Sequence, residues 1–242
     1  MEWTDEAIVI SARRHGESAL IVEAMTATRG RHLGLVRGGR SPRLQPILQP
    51  GNSVRLVWRA RLEEHLGHFS VEGLALRAGR LIDNASALAA LAHLGALVRL
   101  LAERDPHPSL YAALEAILSH LDDLALSAAL IARFELMLLA ELGFGLDLAA
   151  CASTGAREDL IYVSPKSGRA VSRTAGEPFR DRLLPLPRFL VAGDPAIAPS
   201  RADLVDAFRL TGRFLDRLVF EPRTMQQPEA RERFVNAVAR LQ

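Results

Sequence analysis

The sequence predicts an α+β protein, with a small closed β-barrel in residues 1–80 followed by a helical domain in residues 81–242. Two changes near residue 80 and one bulk property predict it. The hydrophobic period shifts from two to helical at about Asp83, which separates strands from helices. The charge shifts at the same place, from twelve basic against eight acidic residues in 1–80 to three against nine in 81–150. The composition is 49% hydrophobic but only 5% aromatic, which suits a folded, aliphatic and helix-rich chain.

The barrel strands come first. AIVI near Ile8, ALIVEAM from Ala19 and HLGLV from His32 are apolar runs of strand length, divided by HGES, TATRG and RGGRSPR. The clearest strand is Val54–Leu62. Its even positions are Val54, Leu56, Trp58, Ala60 and Leu62, and three of its odd ones are Arg55, Arg59 and Arg61. Strand side chains alternate, so one face enters a core and the other displays a row of arginines. Arg31 and Arg37 share parity with Leu33 and Leu35, which places them at strand ends or turns. About five strands in some seventy residues predict a closed barrel.

The helices follow. Asp83 or Asn84 caps the first, which runs towards Pro106; the second starts near Ser109; the third runs from about Ser127 to Leu142, with Gly143 as its C-terminal cap. Residues 158–173 predict a hairpin turning at Pro165–Gly168. A proline-broken loop then leads to Ser200, which with Asp203 opens a helix through Phe220, and Pro228 begins the last helix, ending at Leu241.

Function is legible mainly in where the acids are missing. No Asp or Glu lies between Glu23 and Glu63, an interval that holds Arg29, Arg31, Arg37, Arg40, Arg43, Arg55, Arg59 and Arg61. A solvated face normally mixes both signs, so these eight are the candidate phosphate contacts, because carboxylates among them would repel a nucleic acid. Trp3, Trp58 and Phe69 are the only aromatics in residues 1–80, and Trp58 points inward by parity. Binding is therefore expected to be electrostatic rather than by base stacking. Gly38–Gly39 admits two readings, backbone amides approaching a phosphate or a plain tight turn.

Enzymatic chemistry finds little support. There is no G-x-S-x-G elbow and no G-x4-G-K-[ST] loop, so the chain is not expected to be an enzyme. His65 and His68 beside Glu63 and Glu64 read as polar surface rather than metal ligands. The single cysteine, Cys151, excludes an internal disulfide, and the acidic start MEWTDEAIVI differs from a secretory signal, so a cytoplasmic, nucleoid-associated protein is expected.

Four segments carry a resemblance: AIVISARRHGESALIVEAMT, GLVRGGRSPRLQPILQPG, RFELMLLAELGFGLDLAACASTGA and YVSPKSGRAVS. In order and spacing they resemble the RecO family of recombination mediators along essentially the whole length. The resemblance implies an OB-fold for residues 1–80 and a helical domain with a zinc-ribbon-like insertion at 148–190. It also implies binding to single- and double-stranded DNA, strand annealing, binding of the single-strand-binding protein (SSB) tail, and loading of RecA together with RecR. An OB-like barrel rich in arginine would equally suit an RNA-binding adaptor.

One departure bears on metal. Many members of the family carry C-x2-C…C-x2-C in the insertion; here the four positions are Cys151, Thr154, Ser172 and Ala175. One thiolate does not hold a structural zinc, so no metal or other cofactor is expected. The resemblance also places the SSB-tail site between the helix of Arg133 and Leu136 and the late helix around Arg213 and Phe214. An apolar groove rimmed by a guanidinium suits an acidic, apolar-ended peptide, although the apolar members equally suit a core.

Overall fold

The computed structural model describes residues 1–191 and 198–241. The chain divides into two compact units, Met1–Asp122 and Asp123–Gln242. Among the described residues no helix is long and apolar enough to cross a membrane.

The first unit is built on five strands: β1 (Glu2–His15), β2 (Ala19–Thr26), β3 (Gly30–Val36), β4 (Ser53–Arg59) and β5 (His68–Ala75). They close a barrel in the order β1-β2-β3-β5-β4, the arrangement of an OB-fold. β1 serves two neighbours. Its first half pairs antiparallel with β4 and its second half with β2, and a register shift between Val9 and Ser11 lets one 14-residue strand bend from one to the other. The parallel pair Leu35–His68 closes the ring.

The inside follows from parity. Val54, Leu56 and Trp58 of β4 are buried, packed with Ala7, Val9, Val22, Ala24, Val36 and Phe69. On β3 the inward set is His32, Gly34 and Val36, while Leu33 and Leu35 stand half-buried on the other face. Gly34 is glycine for a reason: a Cβ there would sit 2.5 Å from the Phe69 ring. Trp3 stacks on Trp58 at 5.8 Å; His32 meets both rings edge-on, and Phe69 meets Trp3 and His32 edge-on.

After the barrel come α1 (Ala78–Leu81), α2 (Ala85–Val98) and α3 (Pro108–Leu118). Asn84 caps α2, its side chain accepting from the Ala87 amide at 3.0 Å. The expected cut after residue 80 falls inside the first unit, which runs on to Asp122. The reason is that these helices cover one side of the barrel. The Arg77 guanidinium bonds Ser53 Oγ and Glu115, and Arg99 and Arg31 both reach the buried Glu23 carboxylate, at 2.8 and 2.9 Å. α2 also stops earlier than its periodicity implies, at Val98, because the next residues bond to β3: the Arg104 amide donates to Arg31 O at 2.8 Å.

The second unit holds α4 (Leu124–Glu141), capped by Asp123, and a three-stranded sheet of β6 (Leu160–Val163), β7 (Ala170–Ser172) and β8 (Leu184–Pro185), with α5 (Arg173–Gly176) between β7 and β8. The hairpin β6–β7 turns where the sequence predicts. α6 (Arg201–Leu215) opens on the expected Ser200–Asp203 capping box, and α7 (Glu229–Val238) starts after Pro228. Part of the proline-broken loop before Ser200 lies outside the described residues. A buried ion pair ties three helices together: Arg231 of α7 donates to Glu135 of α4 at 2.8 and 3.0 Å, and Thr211 of α6 hydrogen-bonds the same carboxylate.

Candidate nucleic-acid interface

The eight arginines of the acid-free interval divide into three groups. Arg55 and Arg59 lie on the outward face of β4, as parity predicts. The strand register, however, sets Glu6 and Glu72 directly across from Arg55, and Glu2 across from Arg59. Arg55 pairs with Glu72 at 3.3 Å and Glu6 at 3.7 Å; Arg59 pairs with Glu2 at 2.8 Å. The Arg59 hydrogen bond holds the Glu2 carboxyl below its ordinary range. Acids absent from the interval thus return from neighbouring strands. The expected row of three is also shorter, because β4 ends at Arg59. There Met1 and Ala60 exchange backbone bonds and Leu66 O accepts from the Trp58 indole, so Arg61 stands in the following loop.

Arg31 belongs to the scaffold. It is half-buried, paired with Glu23 and bonded through Nε and Nη2 to Leu101 O at 3.3 and 3.2 Å. Arg29 is exposed, its guanidinium carbon 6.0 Å from the Trp3 ring centre, a cation–π distance.

The third group is Arg37, Arg40 and Arg43 on the segment between β3 and β4, together with Arg61 in the loop after β4. Arg37, Arg43 and Arg61 are exposed and have no carboxylate within salt-bridge distance among the described residues, while Arg40 donates to Glu17 O. The segment itself is firmly set. Leu44, Ile47 and Leu48 pack on the barrel core, and the buried Asn52 side chain donates to Pro46 O and Ile47 O at 2.8 and 3.1 Å. The Gly38–Gly39 question resolves towards a turn. The amides of Gly39, Arg40 and Ser41 are spent on Val36 O, Ser18 O and Gly38 O, so they are not offered to a phosphate.

Two further arginines are likewise unpaired, and one of them, Arg14, lines a groove with Arg40. Arg13 and Arg14, at the exposed end of β1, also lack a carboxylate partner among the described residues. They precede Glu23, outside the acid-free interval; the doubled arginine just before the turn at Gly16 was the available signal. Aromatics add nothing to this surface, since Trp58 and Phe69 are buried and Trp3 is half-buried against them. His65 and His68 are exposed, with His68 Nε2 3.1 Å from Arg37 Nη2. Among the described residues no three His, Cys, Asp or Glu converge as a metal site would need.

In the second unit, Arg133 is exposed on α4 and donates twice to Phe189 O, at 3.0 and 2.7 Å, and Leu136 beside it is half-buried. Arg213 of α6 is exposed, but Phe214 is 1% accessible. It falls in the buried stripe of Ala207, Leu210 and Thr211, one residue further round the helix than Arg213, so it is a core residue rather than a surface contact.

Cys151 is buried, and its sulfur accepts from the Ser172 amide at 3.3 Å and the Ser172 hydroxyl at 3.5 Å. Burial pushes the thiol up, but bonds from Ser172 and Thr154 outweigh it and bring it to about 6. Ser172 and Thr154 thus both face the sulfur through their hydroxyls.

Against known proteins, residues 1–76 match the family model described as Recombination protein O N terminal and residues 83–226 that described as Recombination protein O C terminal. The chain belongs to the RecO family. Its similarity to individual members is close. It is 61% identical over 238 residues to the DNA repair protein RecO of Methylobacterium nodulans, covering 97% of both chains. It is 61% identical over 240 residues to that of Chelativorans sp., covering 99% of this chain and 96% of the relative. The protein of the same name from Rhodopseudomonas palustris strain BisB18 is 58% identical over 242 residues, covering 100% of this chain and 95% of the relative. The two family matches leave residues 77–82 between them, close to the expected cut at residue 80 and within the first compact unit.

Proposed function

We propose that this RecO-family protein is a recombination mediator in DNA repair that acts without bond chemistry, gripping DNA by its phosphates. One observation carries the reading: four arginines with no carboxylate partner among the described residues line the two grooves beside segment 37–50. They are Arg37 and Arg43 in one and Arg14 and Arg40 in the other, where Arg40 also donates to Glu17 O. Uncompensated guanidiniums on a rigid loop suit a phosphate backbone, with affinity from counterion release and little preference for sequence.

In this reading the second unit recruits the protein to SSB-coated DNA. Arg133 and Arg213 supply the charge for an acidic tail and Leu136 an apolar contact. The barrel then takes the strand, lowers repulsion between two strands and promotes annealing; with RecR it assists replacement of SSB by RecA. The test is an annealing assay with and without SSB, alongside single-stranded DNA affinity measured against salt. Four to six arginines on phosphates give a log–log slope of about −3 to −4. A nearly salt-independent affinity would contradict the reading.

A further inference from the structure

Two grooves flank the segment between β3 and β4, and neither is lined by an acid. One, of about 530 Å³, is lined by Arg37, Arg43 and His68 over Leu44 and Phe69, with Arg59 also lining it but already paired with Glu2. The other, of about 370 Å³, is lined by Arg14, Arg40, Gln45 and Gln49 over Ala12 and Leu20. A groove in the second unit shows the ordinary alternative: there Arg157, Arg173 and Arg188 alternate with Glu158 and Asp159. The wall between the two acid-free grooves is the segment that Leu44, Ile47, Leu48 and Asn52 fix to the barrel. Arg40 of the second groove also donates to Glu17 O, in the turn after β1.

We infer that the groove of Arg14, Arg40, Gln45 and Gln49 is a second phosphodiester-backbone site, so that one chain holds two DNA strands, one on each side of segment 37–50. The inference rests on the DNA-binding reading above and deepens it. A single groove accounts for gripping one strand; annealing requires two backbones brought together with their charges neutralised. Two basic tracks on one small rigid wall supply both, and they raise the effective concentration of one strand at the other. Gln45 fits this role, since amides bond phosphate oxygens without adding the repulsion a carboxylate would, and Gln49, whose Nε2 donates to Gln45 O at 2.9 Å, keeps a second amide hydrogen for it.

The experiment is stoichiometry on the full chain, using an oligothymidylate of about eight nucleotides, within the span of one OB-fold. The wild type is expected to bind two oligonucleotides per chain. Arg14→Gln with Arg40→Gln, and separately Arg37→Gln with Arg43→Gln, should each bind one and anneal complementary strands at least tenfold more slowly. Because Arg40 also holds a turn, Gln45→Glu serves as a second probe: it leaves that bond intact, places a carboxylate in the groove, and should likewise reduce two bound oligonucleotides to one. One oligonucleotide per wild-type chain overturns the inference, as does undiminished stoichiometry in Gln45→Glu. Absence of any salt-sensitive binding by the wild type would instead overturn the DNA-binding reading itself.

Discussion

Arg55 and Arg59 on β4 and Arg37 and Arg43 on the segment after β3 come from the same acid-free stretch of sequence, yet the fold gives them different surroundings. The β4 pair sits on a strand between two others, and the register delivers Glu2, Glu6 and Glu72 opposite it. The segment pair stands on a loop fixed from below by apolar side chains, and the strand alongside, β5, brings His68 rather than a carboxylate to Arg37. A guanidinium already paired must lose that partner to hold a phosphate; an unpaired one starts with its donors free. Charge along the sequence therefore predicts charge in space on loops better than on strands, whose neighbours come from elsewhere in the chain.

The largest effect should come from an arginine whose pairing is buried rather than exposed. Arg231→Met removes the cation paired with the Glu135 carboxylate, 0% accessible, and should destabilise the second unit by about 3–5 kcal/mol, read by chemical denaturation. Next comes a direct attempt to erase the β4–loop difference. Glu2→Gln, Glu6→Gln and Glu72→Gln together free Arg55 and Arg59 and remove three repelling charges, so single-stranded DNA affinity at low salt should rise several-fold. An unchanged affinity would mean that this face lies away from the path of the strand. A smaller effect concerns His32, the titratable member of the aromatic cluster. Burial pushes its imidazole down, opposed by its backbone bond to Leu33 O, so the neutral form is the folded one. That stability is complete above the ordinary histidine value of about 6.5 and is lost as pH falls from there through the depressed folded value. Melting temperature should fall between pH 7 and pH 5, and the fall should flatten in His32→Gln.

Much of the barrel could be read from alternation alone. β4 shows its inward Val54, Leu56 and Trp58 plainly, and Asn84, the Ser200–Asp203 box and Gly143 mark helix ends by local chemistry that needs no tertiary partner. What escaped depended on distant neighbours. Arg31 looked like a candidate contact because nothing in its own segment shows that Glu23 and Leu101 O will take its donors. α2 ended early because residues 99–104 had β3 to bond to. Phe214 and Arg213 are adjacent in sequence, but on opposite sides of the line between core and solvent. Arg13 and Arg14 lie outside the acid-free interval, separated from it by Glu17 and Glu23, so the gap in acids does not point to them.

The central claim is that DNA is held by the unpaired arginines and not by the paired ones. The direct measurement is the salt dependence of single-stranded DNA affinity for two double variants, Arg37→Ala with Arg43→Ala and Arg55→Ala with Arg59→Ala. Losing two phosphate contacts makes the log–log slope shallower by about 1.4. The account predicts that change for Arg37 and Arg43, and a slope close to wild type for Arg55 and Arg59. The reverse pattern would contradict it.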